Sequence, residues 1–309
     1  MISIVLATDD NFVQHCSVVI ASILANNTDV SFYIFTEGLK DENVKILMDL
    51  AKENGGELHV CIVDSQIVSQ FPMPPYMSNH ISIATYYRLF VEWLLPKDVD
   101  RVIYMDCDIV VRGSLDPLWR TDMSDMAIGA VYQNNEWAID NNSFERLGYS
   151  KEYGYFNAGV LLINLDYWRK HGVTDELMAF IQNNFDKIHS HDQDVLNAVL
   201  HGKVKPLSYT WNCLPSFFEK NKYTFPSCVN YTEIIAEPIV IHYVFKPKPW
   251  QFECRHPFKD DYFKYLDNTP FRGWRPKRTW RGFWEYVLKP KSLMLLVHLD
   301  VLKIRKLFK

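Results

Sequence analysis

RVIYMDCDIVVRG, residues 101–113, is an apolar run cut once by two carboxylates. Val102 to Met105 and Ile109 to Val111 are β-branched or bulky, the composition of a strand buried on both faces. Acids at the end of such a strand are poor candidates for burial unless a cation waits there. In an extended chain Asp106 and Asp108 share a face and Cys107 points away. Two hard oxygen donors about 7 Å apart along the backbone can converge on one divalent ion. An isolated D-x-D is ordinarily an acidic loop. Here the apolar sequence resumes at once, so the pair reads as a metal site.

Working outward, Ile2 to Ala7 reads as a buried first strand, broken by Thr8-Asp9-Asp10-Asn11 and followed by helical spacing from His15 to Ala25. Ser31 to Thr36 reads as a strand, Asp41 to Glu53 as a helix capped by Asp41, and Glu57 to Val63 as a third strand entered through Gly55-Gly56. This alternation predicts right-handed βαβ units: an α/β fold with a mostly parallel central sheet. Further on, Thr85 to Leu95 and Asp192 to Leu200 read as helices. Ala127 to Tyr132, Val160 to Leu165 and Ile239 to His242 read as strands, and Gln133 to Asn142 as a polar loop. Ligands of open α/β sheets bind beyond the carboxyl ends of the strands. Thr8 to Asn11, Asp106-Cys107-Asp108 and His242 all follow predicted strands, so the fold sends three polar clusters to one edge.

With 309 residues the chain can bury a large core, and 15 % aromatic residues suit a ligand cleft or a membrane boundary. The net charge of −4 is unevenly divided: ten basic residues against two acids from Arg275 onward give that tail +8, leaving −12 for residues 1–274. An acidic body excludes nucleic acid as the expected partner. The six cysteines show neither C-x-x-C nor zinc spacing, and the start MISIVLATDD lacks a signal-peptide pattern; both point to a reducing cytoplasm. The sequons at Asn26, Asn141 and Asn230 then carry no glycan.

In ATDDNF, Asp9 and Asn11 can hydrogen-bond a base and ribose and Phe12 can stack on the base, although by itself the segment is an ordinary turn. Neither G-x-G-x-x-G nor G-x-x-x-x-G-K-[ST] is present, so a nucleotide's phosphates must be neutralised by a metal and a lysine. His242, within IVIHYVF, would ordinarily be a core histidine. With two aspartates it completes a mixed oxygen and nitrogen set that favours Mn²⁺, with Mg²⁺ as the alternative. Lys246 and Lys248 lie close behind it in a proline-stiffened run. Arg88, in TYYRLF, has the ordinary reading of a snorkelling surface residue.

Six stretches in order, ATDDNF (7–12), HISIATYYRL (80–89), VIYMDCDIVVRG (102–113), YFNAGVLLINLDYWR (155–169), HDQDVLNAVL (191–200) and HYVFKPKPW (242–250), resemble glycosyltransferase family 8, specifically its bacterial lipooligosaccharide galactosyltransferases. The resemblance implies a GT-A fold over residues 1–271, a UDP-galactose or UDP-glucose donor, Mn²⁺, and hexose transfer to a glycan or glycolipid acceptor with retention of the α configuration. By position it implies Asp106, Asp108 and His242 as metal ligands. Ala7, Asp9, Asn11, Phe12 and Cys107 would lie at the nucleotide and Lys248 on the diphosphate. Arg88, Asp106, Asn157, Asp192 and Gln193 would surround the donor sugar. Gln193 falls opposite the leaving group, with Asp192 beside it; an amide is a feeble nucleophile, which favours attack from the leaving-group face. His80 and Gln133 fall at acceptor positions. Phe245 stands where the family usually has glycine, and Gln133 where it has an acceptor-binding aspartate.

Residues 272–309 read as a separate basic, aromatic tail. Met294, Val297, Val301, Ile304 and Phe308 fall on one helical stripe. The apolar run there is too short to span a bilayer, so an anionic membrane surface at the cytoplasmic face is the expected partner, with an oligomer-forming helix as the alternative. A sugar-nucleotide hydrolase or nucleotidyltransferase on a related fold, and a non-catalytic nucleotide-sugar binding module, are the competing functions.

Overall fold

The computed structural model describes residues 1–64, 83–133, 135–218 and 231–277. They fall into two compact units: one holds residues 1–13, 28–107 and 115–207, the other 14–27, 108–114 and 208 onward. His80 and the tail beyond Lys277 lie outside the described residues.

The first unit is built on a seven-stranded sheet. Its strands are β1 (Ile2–Ala7), β2 (Val30–Thr36), β3 (Glu57–Ile62), β4 (Arg101–Met105), β6 (Ile128–Tyr132), β7 (Phe156–Asn164) and β8 (Val204–Pro206), in the order β3-β2-β1-β4-β7-β6-β8. β7 alone runs against its neighbours, so the sheet is mostly parallel, as the β-α alternation predicts. The chain lays down β1, β2 and β3 on one side and then crosses to β4 on the other. The carboxyl ends of β1 and β4 therefore stand side by side at a topological switch point, Leu6 opposite Met105. Strands buried on every residue, such as VSFYIFT in β2, explain the unbroken apolar runs. The core is completed by Phe90, Trp168, Leu177 and Leu196, and the Trp168 Nε1 donates to Ala127 O at 3.1 Å, so its one polar atom is satisfied.

Local differences from the sequence reading have identifiable causes. Asp41 is the first helical residue of Asp41–Glu53, and Lys40 occupies the cap. Asp10 Oδ1 receives Lys40 N at 3.0 Å and Asn43 Nδ2 at 2.7 Å, tying the start of that helix to the turn after β1. The expected helix over 85–95 is a 3₁₀ segment, Ile83–Phe90, followed by one α-turn. Gln133 to Asn142 contains a short helix, Asn135–Asp140.

In the second unit β5 (Ile109–Val111) pairs antiparallel with β9 (Val240–His242), Ile109 opposite His242. His242 is thus the end of a strand in a two-stranded sheet, not of the central one as its predicted strand suggested. The chain leaves the large sheet after Met105 and joins the small one at Ile109, so Asp106-Cys107-Asp108 is a turn, not a stretch of strand. Strand alternation therefore does not set the directions of the two carboxylates; each is aimed by its own partners. Beside β9, Cys213 forms a parallel bridge to Ile241, which brings Asn212 next to His242. Asn26 ties the helix Val13–Leu24 to Val111 O and Tyr265 Oη, both at 3.1 Å, and Arg112 pairs with Asp261 at 2.8 Å. Near the end of the described chain Arg275 pairs with Asp267 at 2.6 Å.

Candidate active site

The first unit gathers charge around Arg88. The guanidinium is only 5 % exposed, which corrects the snorkelling reading. Its Nη2 donates to Asp106 Oδ1 at 2.7 Å, its Nε lies 2.8 Å from Asp192 Oδ2, and its Nη1 donates to Ala158 O. The Tyr104 ring lies 4.3 Å from the guanidinium carbon, and its hydroxyl donates to Asp106 at 3.3 Å. Burial works against the Arg88 charge, but Asp106 and Asp192 outweigh it and raise its pKa. Two carboxylates thus share one guanidinium. Asp192, on the helix His191–Leu200, bears the deficit: its burial pushes its pKa up to about 7 against the pull of Arg88, and Asp106 adds to the rise.

This clustering depends on an irregularity in β7. Between Ala130 and Val131 the β6–β7 register shifts, and residues 158–160 bulge. The bulge turns backbone groups to the site: Ala158 O to Arg88, Gly159 O to Asp106 N at 2.9 Å, and Ala158 N to Gln193 Oε1 at 3.0 Å. Gln193 Oε1 also accepts Asn157 Nδ2 at 3.1 Å, so Asn157, Asp192 and Gln193 come together with Arg88 and Asp106. The turn before the helix is held by buried Asp194, whose carboxylate accepts Arg146 Nη1 at 2.8 Å, Tyr155 Oη at 2.7 Å, His189 N at 2.8 Å and Ser190 N at 2.7 Å.

At the end of β1, Asp9 Oδ1 accepts Asn11 N at 2.8 Å and Phe12 N at 3.1 Å, an Asx turn that leaves Phe12 40 % exposed. The Cys107 thiol donates to Ala7 O at 3.2 Å and fastens the acidic turn to β1. Gln133 is half-buried, its backbone N–H donating to Tyr155 O at 3.0 Å.

The second unit gathers Asp108, His242 and Lys248. His242 is buried, with Nε2 3.1 Å from Asp108 Oδ1 and Nδ1 2.9 Å from Asn212 Oδ1. Lys248 Nζ donates to Asp108 Oδ2 and to Tyr243 O. Burial opposes the Asp108 charge, but Lys248 and His242 win and hold its pKa well below the carboxylate range. Lys246 is exposed. Behind the Lys248 loop, the His15 ring stacks on Trp250 with centroids 3.7 Å apart, and His15 Nδ1 lies 2.7 Å from Tyr262 Oη.

Asp106 closes the first cluster and Asp108 opens the second, with only Cys107 between them. Among the described residues, Asp106, Asp108 and His242 form a group able to hold a metal ion. The donor chemistry fits one. With Asn212 Oδ1 accepting from Nδ1–H, the tautomer assigned from that contact turns the Nε2 lone pair onto a carboxylate oxygen. That buried oxygen receives no well-directed hydrogen bond. A protonated imidazole pairs with that oxygen directly; a neutral one offers its Nε2 lone pair beside the carboxylate, two donor atoms 3.1 Å apart that suit one divalent cation.

Sequence reasoning missed Asn212, Tyr104 and His15, which carry no local signal, whereas Asp194 belongs to the acidic segment Asp192-Gln193-Asp194 that stands out in the sequence.

A sheet with this switch point, an acidic turn after β4 and a polar turn after β1 match the GT-A fold of sugar-nucleotide-dependent glycosyltransferases. The chain belongs to glycosyl transferase family 8, whose profile matches residues 3–254. It is similar to General stress protein A of Bacillus subtilis, 30 % identical over 86 % of this chain and 93 % of that one. It is 31 % identical to a lipopolysaccharide 1,2-glucosyltransferase of Escherichia coli, over 85 % of this chain and 77 % of that one. The crystal structure of galactosyltransferase LgtC, solved with donor and acceptor sugar analogues, superimposes with a TM-score of 0.77 at 29 % identity, covering 91 % of this chain and 99 % of that one. The chain is therefore a glycosyltransferase.

Proposed function

We propose that this glycosyltransferase moves galactose or glucose from a UDP-sugar to a hydroxyl of a bacterial surface glycan, lipooligosaccharide or lipopolysaccharide, with retention at the anomeric carbon. The observation that carries the reading is the His242 nitrogen turned by Asn212 onto the Asp108 carboxylate, with Lys248 on the other oxygen of that carboxylate. Asp106, Asp108 and His242 would hold Mn²⁺, which suits two carboxylates and one imidazole. Bound there, the ion would neutralise the diphosphate and stabilise it as a leaving group.

The residues of the chain do the rest. Lys248, already poised as a cation in its loop, would transfer its contact from Asp108 to the diphosphate. The Asp9 turn, with Ala7, Asn11, Phe12 and Cys107, would seat the uridine. Arg88, Asp192 and Asn157 would orient the sugar hydroxyls. His80 and Gln133 would meet the acceptor. Gln193 Oε1 is occupied by two donors, Asn157 Nδ2 and Ala158 N. That engagement supports same-face substitution: the acceptor oxygen bonds to the anomeric carbon as the carbon–diphosphate bond breaks, and the hydroxyl proton passes to the departing UDP.

Residues 1–271 would be the catalytic part and 272–309 a tail drawn to anionic lipid at the cytoplasmic face, a reading that rests on its charge of +8. No helix among the described residues is long and apolar enough to cross a membrane. Sedimentation with anionic vesicles at low and high salt tests the tail.

Release of UDP from UDP-galactose and UDP-glucose, with deacylated lipooligosaccharide as acceptor, tests the function. Turnover should require Mn²⁺ and fall at least about a hundredfold in Asp108→Asn. Undiminished turnover in chelator would overturn the metal assignment.

A further inference from the structure

Phe245 stands in the left-handed region of backbone space, with φ 66°, where a bulky side chain is seldom found. Its ring is 72 % exposed, so little packing among the described residues rewards that conformation. It sits three residues from His242 and three from Lys248, both of which face Asp108. Glycine would adopt the same backbone without steric cost and leave nothing apolar in solvent. A disfavoured conformation that keeps a ring exposed beside ionic groups points to a role in what the loop meets.

On the function proposed above, on which this inference rests, the loop meets the acceptor. The incoming oxygen must reach the anomeric carbon, one bond from the diphosphate that Lys248 would hold. A pyranose offers an apolar patch of C–H groups on its ring face, which an aromatic ring complements; water offers none. We infer that Phe245 is a specificity-determining residue that favours a sugar hydroxyl over water as nucleophile, its ring lending an apolar face to a pyranose acceptor. In the disfavoured reaction the water oxygen bonds to the anomeric carbon, the carbon–diphosphate bond breaks, and free hexose and UDP form with release of a proton.

The test compares full-length wild type, Phe245→Gly and Phe245→Trp. UDP release from UDP-galactose and UDP-glucose is followed with Mn²⁺, first without acceptor and then with methyl β-galactoside and methyl β-glucoside. UDP binding is measured by calorimetry and Tm by heating. The glycine variant should hydrolyse donor several-fold faster, pass a smaller share of it to the glycosides, bind UDP as wild type does, and melt no lower because its backbone is relaxed. The tryptophan variant should behave as wild type. Hydrolysis unchanged in the glycine variant would overturn the inference. So would a lost UDP affinity, which would give the ring to the donor, or a lower Tm, which would make it structural. Loss of anionic-vesicle binding with unchanged hydrolysis would give the ring to a membrane instead. A wild type that neither binds nor releases UDP would defeat the transferase reading itself, and this inference with it.

Discussion

Replacing His15 by glutamine should remove a defined part of the protein's acid sensitivity. His15 is buried between Trp250 and Tyr262, and burial lowers its pKa to about 4. The unfolded chain titrates a histidine near 6.5. Because the folded value is the lower one, stability is fully present above about pH 6.5 and is lost as the pH falls towards 4, where the unfolded state binds a proton that the folded state refuses. The shift of about 2.5 units gives a contribution of about 2 kcal/mol lost by pH 5 and about 3 kcal/mol by pH 4. That is a large part of the 5–15 kcal/mol typical of a folded domain. Glutamine keeps a polar contact for the Tyr262 hydroxyl but cannot titrate. Urea unfolding of both proteins at pH 7, 6, 5 and 4 isolates the effect, since every other titrating group is common to them. Wild type should lose about 3 kcal/mol more than the variant between pH 7 and pH 4. Parallel stability curves would refute the reasoning, as would a ring pKa near 6.5 measured by NMR in the folded wild type.

Arg88→Met should destabilise the protein by about 3–5 kcal/mol, because two carboxylates lose the guanidinium they share. Urea denaturation should show a smaller loss at pH 5 than at pH 8, since Asp192, already raised to about 7, can take up a proton instead. Asp194→Ala should cost more than about 3 kcal/mol by leaving the Arg146 cation unpaired, and the double variant with Arg146→Met should be less destabilised than the single changes added together. Both effects are read from chemical unfolding, and strict additivity would count against a coupled pair.

What the sequence showed plainly was what depends on short range. β-Branched runs marked β1, β2 and β4, and the apolar character on both sides of Asp106-Cys107-Asp108 singled out the acidic turn. The sheet order could not be read, and with it went the placement of His242, whose three-residue strand looks alike whether it joins a large sheet or a small one. Arg88's neighbours alone gave it the ordinary reading of a surface residue, because the carboxylates that make its burial tolerable are 18 and 104 positions away, on β4's exit and on the helix His191–Leu200. The bulge at residues 158–160 was invisible for a related reason: Asn157 and Gly159 are weak strand formers but do not by themselves specify a bulge, and the irregularity appears only against the register of β6. Asn212 sets the direction of the His242 ring from a segment with no motif of its own. Phe245, in contrast, was noticed only as a departure from the family, and its positive φ gives that departure a physical cost.

Titration of Mn²⁺ into the protein, followed by the electron paramagnetic resonance of the unbound ion, bears most directly on the central claim. Wild type should take up one ion, more tightly when UDP is present, and His242→Ala and Asp108→Asn should each abolish that uptake. Equal Mn²⁺ uptake by wild type and both variants, indifferent to UDP, would contradict the account.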